Sequence, residues 1–462
     1  MDQLTESRLQ LMLQEHRQFF HSGRTRDLSF RLEQLNKLLE AIRRAEPQLL
    51  AALRQDLRKS EFEAFTTEIS FVQQSIRDMK KHLGKWMKPQ KVPTPLALFP
   101  SSSRIVSEPY GTVLIIGPFN YPFQLVMEPL IGAIAAGNCA ALKPSEHTPS
   151  VSAVIRRLIG DTFEEAYIRV IEGEKETTSL LIHAPFDYIF FTGSVPVGKL
   201  VMEAAARHLV PVTLELGGKS PVIVDTTAKL ELAAKRILWG KLTNAGQTCI
   251  APDYVLVQRE VRDELLAKMK ETIAGFYGPD ASASDDYGRI VNLRHFDRLA
   301  AILEQDRERI AYGGRIDREA LYIEPTLLLA AWDDAAMADE IFGPILPILT
   351  YDQLDEAIAA IRARPKPLAL YVFTESKEVE KQVISRVSFG GGCVNDTLMH
   401  VANPHLPFGG VGSSGVGAYH GKHSFDVFSH RKSIVHKSTR FEPGLVFPPY
   451  KDKLKWVKKL LK

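Results

Sequence analysis

Cysteine is scarce in this chain: three residues in 462, an odd number with no Cys-x-x-Cys pair. That excludes a disulfide framework and structural zinc, and it predicts a reducing, cytoplasmic setting and no metal site. Long apolar runs are also missing. No stretch approaches the ~20 residues that span a bilayer, and the first twenty residues interleave Leu9, Leu13 and His16 with Glu6, Arg8, Glu15 and Arg17. This excludes a secretory signal and predicts an amphipathic helix stopped near Gly23. Net charge is only +3, which gives no general reason to expect a nucleic-acid partner. Neither an internal repeat nor a low-complexity tract is present.

What is present is globular: 45% hydrophobic and 24% charged residues over a length that exceeds one ordinary core, so at least two domains are expected. Leu32, Leu35, Leu39 and Ile42 recur at helical spacing, and Pro47 marks the start of a second helix. Pro93, Pro95, Pro100 and Pro109 predict an extended excursion or hairpin over 91–109. Short apolar strands then alternate with helices, at Thr112–Ile116, Cys139–Lys143, Ile168–Ile171 and Tyr188–Thr192. A second such series runs through Pro221–Asp225, Tyr254–Val257, Leu368–Phe373 and Gly392–Asn395. The fold class this predicts is α/β, with two parallel sheets covered on both faces and a ligand cleft between them near the strand ends.

Two segments carry the chemistry. Cys249 lies in Asn244-Ala-Gly-Gln-Thr-Cys-Ile-Ala-Pro252, and Glu215 closes an apolar strand in Leu214-Glu-Leu-Gly-Gly-Lys-Ser-Pro221. Most lone cysteines are buried thiols, and Cys139 and Cys393, in apolar surroundings, are read that way. The glycine-bearing loop before Cys249 instead admits a substrate to the sulfur and offers it backbone N–H groups or a helix N-terminus. Glu215 is either a general base or a structural carboxylate held by the Gly217 and Gly218 amides. Asn120, in Gly117-Pro-Phe-Asn-Tyr-Pro122, is either a turn residue or an oxyanion donor at a strand end.

Lys143-Pro-Ser-Glu146 sets a cation and a carboxylate after a strand, as a surface ion pair or as partners for ribose hydroxyls. Phe191-Thr-Gly-Ser-Val-Pro-Val-Gly-Lys199 places Gly193, Ser194 and Gly198 around a helix start suited to a diphosphate. Glu340-Ile-Phe-Gly-Pro344, read as an extended segment, turns Glu340 and Phe342 the same way, a carboxylate for a ribose hydroxyl and an aromatic for a flat ring, or else is a turn before a proline. The run Gly410-Val-Gly-Ser-Ser-Gly415 has the dinucleotide fingerprint spacing without a preceding strand and is read as a flexible loop.

These segments, in this order, resemble the NAD(P)-dependent aldehyde dehydrogenase superfamily, and Tyr419-His-Gly-Lys-His-Ser-Phe425 resembles its class 3, fatty and aromatic aldehyde branch. The resemblance implies a dinucleotide domain of five-stranded type (1–90 and 110–218), a catalytic domain (219–400) and an oligomerisation element with a C-terminal tail (91–109 and 401–462), and the assembly it implies is a homodimer. It implies Cys249 as nucleophile, Asn120 as oxyanion donor and Glu215 as the base for thioester hydrolysis. NAD is the implied cofactor, with NADP also compatible, held by Lys143, Glu146, Gly193, Ser194, Gly198, Glu340 and Phe342. His420 and His423 stay outside the catalytic set. Two alternatives accompany this reading: a coenzyme A-acylating enzyme, and a catalytically silent scaffold or membrane-associated protein on the same fold. The tail 451–462, with six lysines and a Leu454, Val457, Leu461 stripe, is expected to pack on a subunit or lie on an anionic membrane surface.

Overall fold

The computed structural model describes residues 4–442 and 444–460. Leu461 of the tail stripe lies outside the described residues. The first helix is Glu6–His21, with Leu9, Met12, Leu13, His16 and Phe19 buried and Gly23 at φ +79° after it. The next, Leu28–Leu57, runs straight through Pro47 and corrects the expected break. Pro47 and Arg43, whose carbonyl loses its helical donor, are both exposed, so water can satisfy what the proline removes.

One sheet has the order Gly415–Val416, Val212–Glu215, Tyr188–Thr192, Thr112–Ile116, Cys139–Lys143, Ile168–Val170. Its last five strands are parallel, and Gly415–Val416 adds an antiparallel sixth. Val113 and Ile115 enter one apolar core while Leu114 and Ile116 enter another, as the alternation of a doubly covered strand requires. Sequence order reverses between Thr112–Ile116 and Tyr188–Thr192, so the loops after these strands, which carry Asn120 and Gly193, diverge and open a crevice.

The second sheet has seven strands, in the order Ile310–Tyr312, Thr326–Leu329, Ile345–Tyr351, Tyr254–Gln258, Pro221–Val224, Ala369–Phe373, Gly391–Val394. All are parallel to their neighbours except the first. Three of them were not foreseen. Pro347 argues against a central strand, yet it pairs with Leu328, and pairing with Tyr254–Gln258 begins one residue later at Ile348.

The proline-rich hairpin, Gln90–Val92 and Ser101–Pro109, is joined by Ser429–Lys437 in a separate antiparallel sheet. Among the described residues, no helix is long and apolar enough to cross a membrane.

Candidate active site

The loop before Cys249 is built from backbone that few side chains tolerate. Asn244, Ala245 and Gly246 have φ of +52°, +51° and +77°, and a Cβ on Gly246 would lie 2.2 Å from the Gly343 carbonyl oxygen. Gln247 holds the loop from beneath, donating to the Asn244 and Arg289 carbonyls and accepting from the Val291 N–H. The sulfur of half-buried Cys249 accepts from its own N–H and that of Ile250, so the expected amides are present, but a turn follows the cysteine and not the helix N-terminus also considered. Burial, followed by the charges of Glu340 and Glu215, outweighs the two amides and pushes the thiol up to about 12.

Glu215 ends its strand between Thr192 and Gly415, 2% exposed. Neither carboxylate oxygen has a protein partner, and burial raises its pKa well above the usual carboxylate range. Of the glycine amides considered as its anchor, that of Gly218 serves another carboxylate, Glu340, and Gly217 packs against the same group, where a Cβ would sit 2.1 Å from Glu340 Oε2. Glu340 is itself raised to about 8, by burial and then Asp253, against the pull of the Gly218 N–H, Lys219 and Arg298.

Asn120, Lys143, Glu146, Gly193, Ser194, Glu215, Cys249, Glu340 and Phe342 all line one cavity of about 460 Å³. Gly198 does not; it is the contact point of its helix with Leu216, where a Cβ would lie 2.5 Å from Leu216 Cδ2. The Glu340–Phe342 segment is not extended either, since Phe342 has φ +49°. It is a tight turn pinned by Arg298 on the Ile341 carbonyl, 2.5 Å away. Phe342 meets Phe119 edge to face at 5.6 Å. Lys143 is buried and bonded to Glu146 at 2.5 Å. Burial acts to raise Glu146, but the hydrogen bond and charge of Lys143 prevail and hold it below its ordinary range.

A nicotinamide dinucleotide fits these residues. Helix Val195–Ala206 starts at Ser194 without a side-chain cap, leaving its first amides for a diphosphate, and Lys143 and Glu146 offer complementary groups to ribose hydroxyls. Beside Glu146, a further cavity of about 500 Å³ carries Glu172, Glu174 and Glu176.

On the other side of the sulfur lies a second cavity of about 290 Å³, walled by Phe71, Leu125, Trp239, Ile250, Val401 and Phe408, among others. Cys249 and Glu215 border both cavities. This tunnel was not legible in the sequence, because its walls come from six separated stretches of chain, within 66–71, 121–125, 192, 215–216, 239–250 and 398–419. Tyr419 lines it, whereas His420 is buried against Phe408 at 5.2 Å and lines neither cavity. The Gly410–Gly415 run is a packed turn and not a flexible loop: Gly415 pairs with Glu215, and a Cβ on Gly410 would lie 2.1 Å from the Ser414 carbonyl oxygen.

The model of the aldehyde dehydrogenase family matches residues 1–434. The chain is 58% identical over 445 residues to 4,4'-diaponeurosporen-aldehyde dehydrogenase of Staphylococcus aureus, covering 96% of this chain and 97% of the relative. It is 46% identical over 455 residues to aldehyde dehydrogenase family 3 member H1 of Arabidopsis thaliana, covering 97% and 94%. A solved substrate-bound state of Staphylococcus aureus AldH superposes with a TM-score of 0.97 at 57% identity, covering 98% of this chain and 99% of that one. An NAD-dependent aldehyde dehydrogenase from Sinorhizobium meliloti superposes with a TM-score of 0.86 at 28% identity, covering 96% and 89%.

Proposed function

This chain belongs to the aldehyde dehydrogenase family, as an NAD(P)-dependent enzyme of its class 3 branch, and from that premise we propose that Cys249, Glu215 and Asn120 carry the oxidation of an apolar aldehyde to its carboxylic acid. The observation that carries this reading is the position of Cys249 and Glu215 on the shared wall of a polar cleft and an apolar tunnel. The tunnel delivers the aldehyde carbon to the sulfur. Cys249 gives its proton to Glu215, which returns it to solvent before the hydrolytic step, and adds to the carbonyl, and the oxyanion of the resulting thiohemiacetal is held by the Asn120 amide and the Cys249 N–H. The bound nicotinamide supplies a hydride acceptor. Loss of hydride leaves a thioester on Cys249, and Glu215 takes a proton from water, whose oxygen displaces the sulfur and releases the acid.

A carboxylate with both oxygens bare beside the sulfur supports water as acyl acceptor over coenzyme A, which needs no such base. Lys143, Glu146, Gly193, Ser194, Glu340 and Phe342 hold the dinucleotide, and Gly198 lets its helix approach the strand below. Glu174 and Glu176 beside Glu146, in a cavity where Glu172 is already paired with Arg156, disfavour a 2′-phosphate, which supports NAD over NADP.

The tunnel's lining suits an apolar tail, and the Staphylococcus aureus relative is named for 4,4'-diaponeurosporen-aldehyde. The test is a panel of short, aromatic and long-chain aldehydes with each nucleotide, following nicotinamide absorbance and acid formation with and without coenzyme A. Highest kcat/KM for long apolar aldehydes with NAD, and free acid as product, is the expected result. Coenzyme A-dependent thioester product would overturn it.

The division that fits this chemistry is a dinucleotide domain of residues 1–90 and 110–218, a catalytic domain of 219–400, and an oligomerisation element of 91–109 with 401–462, from which Gly415–Val416 returns to the dinucleotide sheet. Ser429–Lys437 is a nine-residue edge strand with Val435 56% exposed, and this supports a homodimer formed by a second copy at that edge. In the tail helix Lys453–Leu460, Leu454 and Trp456 are 61% and 65% exposed, which supports their being covered in that dimer.

A further inference from the structure

Beneath the Asn120 turn lies an ion pair that the reaction as described does not use. Lys59 and Glu68 meet at 2.6 Å with both side chains fully inaccessible. Lys59 follows helix Leu28–Leu57 just after Arg58, a left-handed residue at φ +53°. Glu68 lies in Phe65–Ile69, a π turn that interrupts the helical run between Glu61–Ala64 and Ser70–Trp86. A π turn costs helix geometry and is most often kept where a side chain must be re-aimed.

Each member of the pair spends its remaining hydrogen bonds on the same short segment. Lys59 Nζ donates to the Asn120 carbonyl at 2.9 Å and stands 4.0 Å over the Tyr121 ring. Glu68 Oε2 accepts the Phe123 and Gln124 N–H groups at 2.9 and 3.2 Å. The segment is tied to the cysteine loop as well. Asn244 Nδ2 donates to the same Asn120 carbonyl at 2.8 Å, Glu63 Oε1 accepts the Asn244 N–H at 2.9 Å, and the Tyr121 hydroxyl bonds Thr248 Oγ1 at 2.8 Å, one residue before Cys249.

Burying a lysine and a glutamate is costly, and an apolar pair of the same volume would often be as stable or more so. The bonds made here fix the Asn120–Gln124 segment at both ends, and the segment reaches the loop of the nucleophile through Tyr121. We propose that Lys59 and Glu68 are positioning residues, which hold the Asn120 peptide so that its side-chain amide meets the oxyanion formed on Cys249. Neither touches aldehyde or dinucleotide, since neither lines the two cavities. A donor displaced by about 1 Å costs as much as ~10²-fold in rate, and loss of the donor itself ~10²–10³-fold.

The inference rests on the assignment of Asn120 as oxyanion donor, and the experiment separates the two. Lys59→Met alone strands a buried carboxylate and is liable to unfold, so the variant is Lys59→Met/Glu68→Gln, compared with Asn120→Ala and with the combination of all three. Ile361→Ala, a core truncation in the distant helix Leu354–Arg362, serves as a stability control.

At saturating NAD and aldehyde, the double variant should lose about tenfold to a hundredfold in kcat while its NAD affinity, read by quenching of intrinsic fluorescence, changes by less than about twofold. Added to Asn120→Ala, the pair should cost little more, because both changes disable one donor. Ile361→Ala should lower Tm and leave kcat of the folded enzyme unchanged. A double variant with undiminished kcat, or one whose loss multiplies fully with that of Asn120→Ala, overturns the positioning role. Undiminished activity of Asn120→Ala overturns instead the assignment on which it rests.

Discussion

The nucleophile is at rest a neutral thiol. With its pKa pushed up to about 12 by burial and by Glu340 and Glu215, the thiolate fraction of Cys249 grows about tenfold per pH unit across the whole neutral and mildly alkaline range. Alkylation of the free enzyme by iodoacetamide should therefore climb with pH without a plateau below about pH 9, and Cys249→Ser should abolish both that labelling and aldehyde oxidation. A plateau near neutrality would mean that the free enzyme already holds a thiolate.

Another buried acid gives a second prediction. Glu128, 2% exposed with Oε1 unpartnered, is raised to about 8 by burial, against a hydrogen bond from Ser75. Its folded pKa exceeds its unfolded one, so its contribution to stability is complete below about pH 4.5 and is lost as pH rises through about 8. Glu128→Gln stays neutral. Its Tm relative to the parent should improve steadily between about pH 5 and about pH 9, as scanning calorimetry would register.

At the scale of elements, glycines decide how closely loops approach. Gly246 combines φ +77° with a contact that leaves no room for a methyl group, so Gly246→Ala must push apart the cysteine loop and the Glu340–Phe342 turn. Oxidation should fall by at least about tenfold with the fold retained by circular dichroism. Where a pattern was local, the sequence was a good guide to the elements: Thr112–Ile116, Cys139–Lys143 and Tyr188–Thr192 are strands at the expected bounds. It failed where neighbours overrode local chemistry. Pro47 ends no helix because the Arg43 carbonyl that it leaves without a donor belongs to an exposed residue, and Pro347 sits in a central strand because one neighbour starts pairing just beyond it. Phe342 faces the cleft through a left-handed turn anchored by Arg298, a residue more than forty positions away in sequence.

For the whole molecule, the proposed dimer places the edge strand Ser429–Lys437 against a second copy. A charge inserted on it, Val435→Asp, should shift sedimentation from dimer to monomer at micromolar concentration, and an unchanged mass would remove this edge as the interface. Removal of residues 451–462 bears on the tail. If Leu454 and Trp456 are covered in the dimer, truncation weakens association and leaves partition to anionic liposomes unchanged; a truncation that abolishes partition assigns the tail to a lipid surface.

The sequence by itself determined the reagents: a cysteine in a glycine-bearing loop, a carboxylate at a strand end, an asparagine in a turn and a helix start for a diphosphate, because each is a short pattern whose chemistry needs only its neighbours in the chain. Tertiary structure alone decided how they act. It buried Glu215 without a partner, raised the thiol instead of lowering it, assembled the apolar tunnel from distant segments, and set Lys59 and Glu68 beneath Asn120. Desolvation and close approach depend on what packs from elsewhere in the fold, and no local window of residues contains that information.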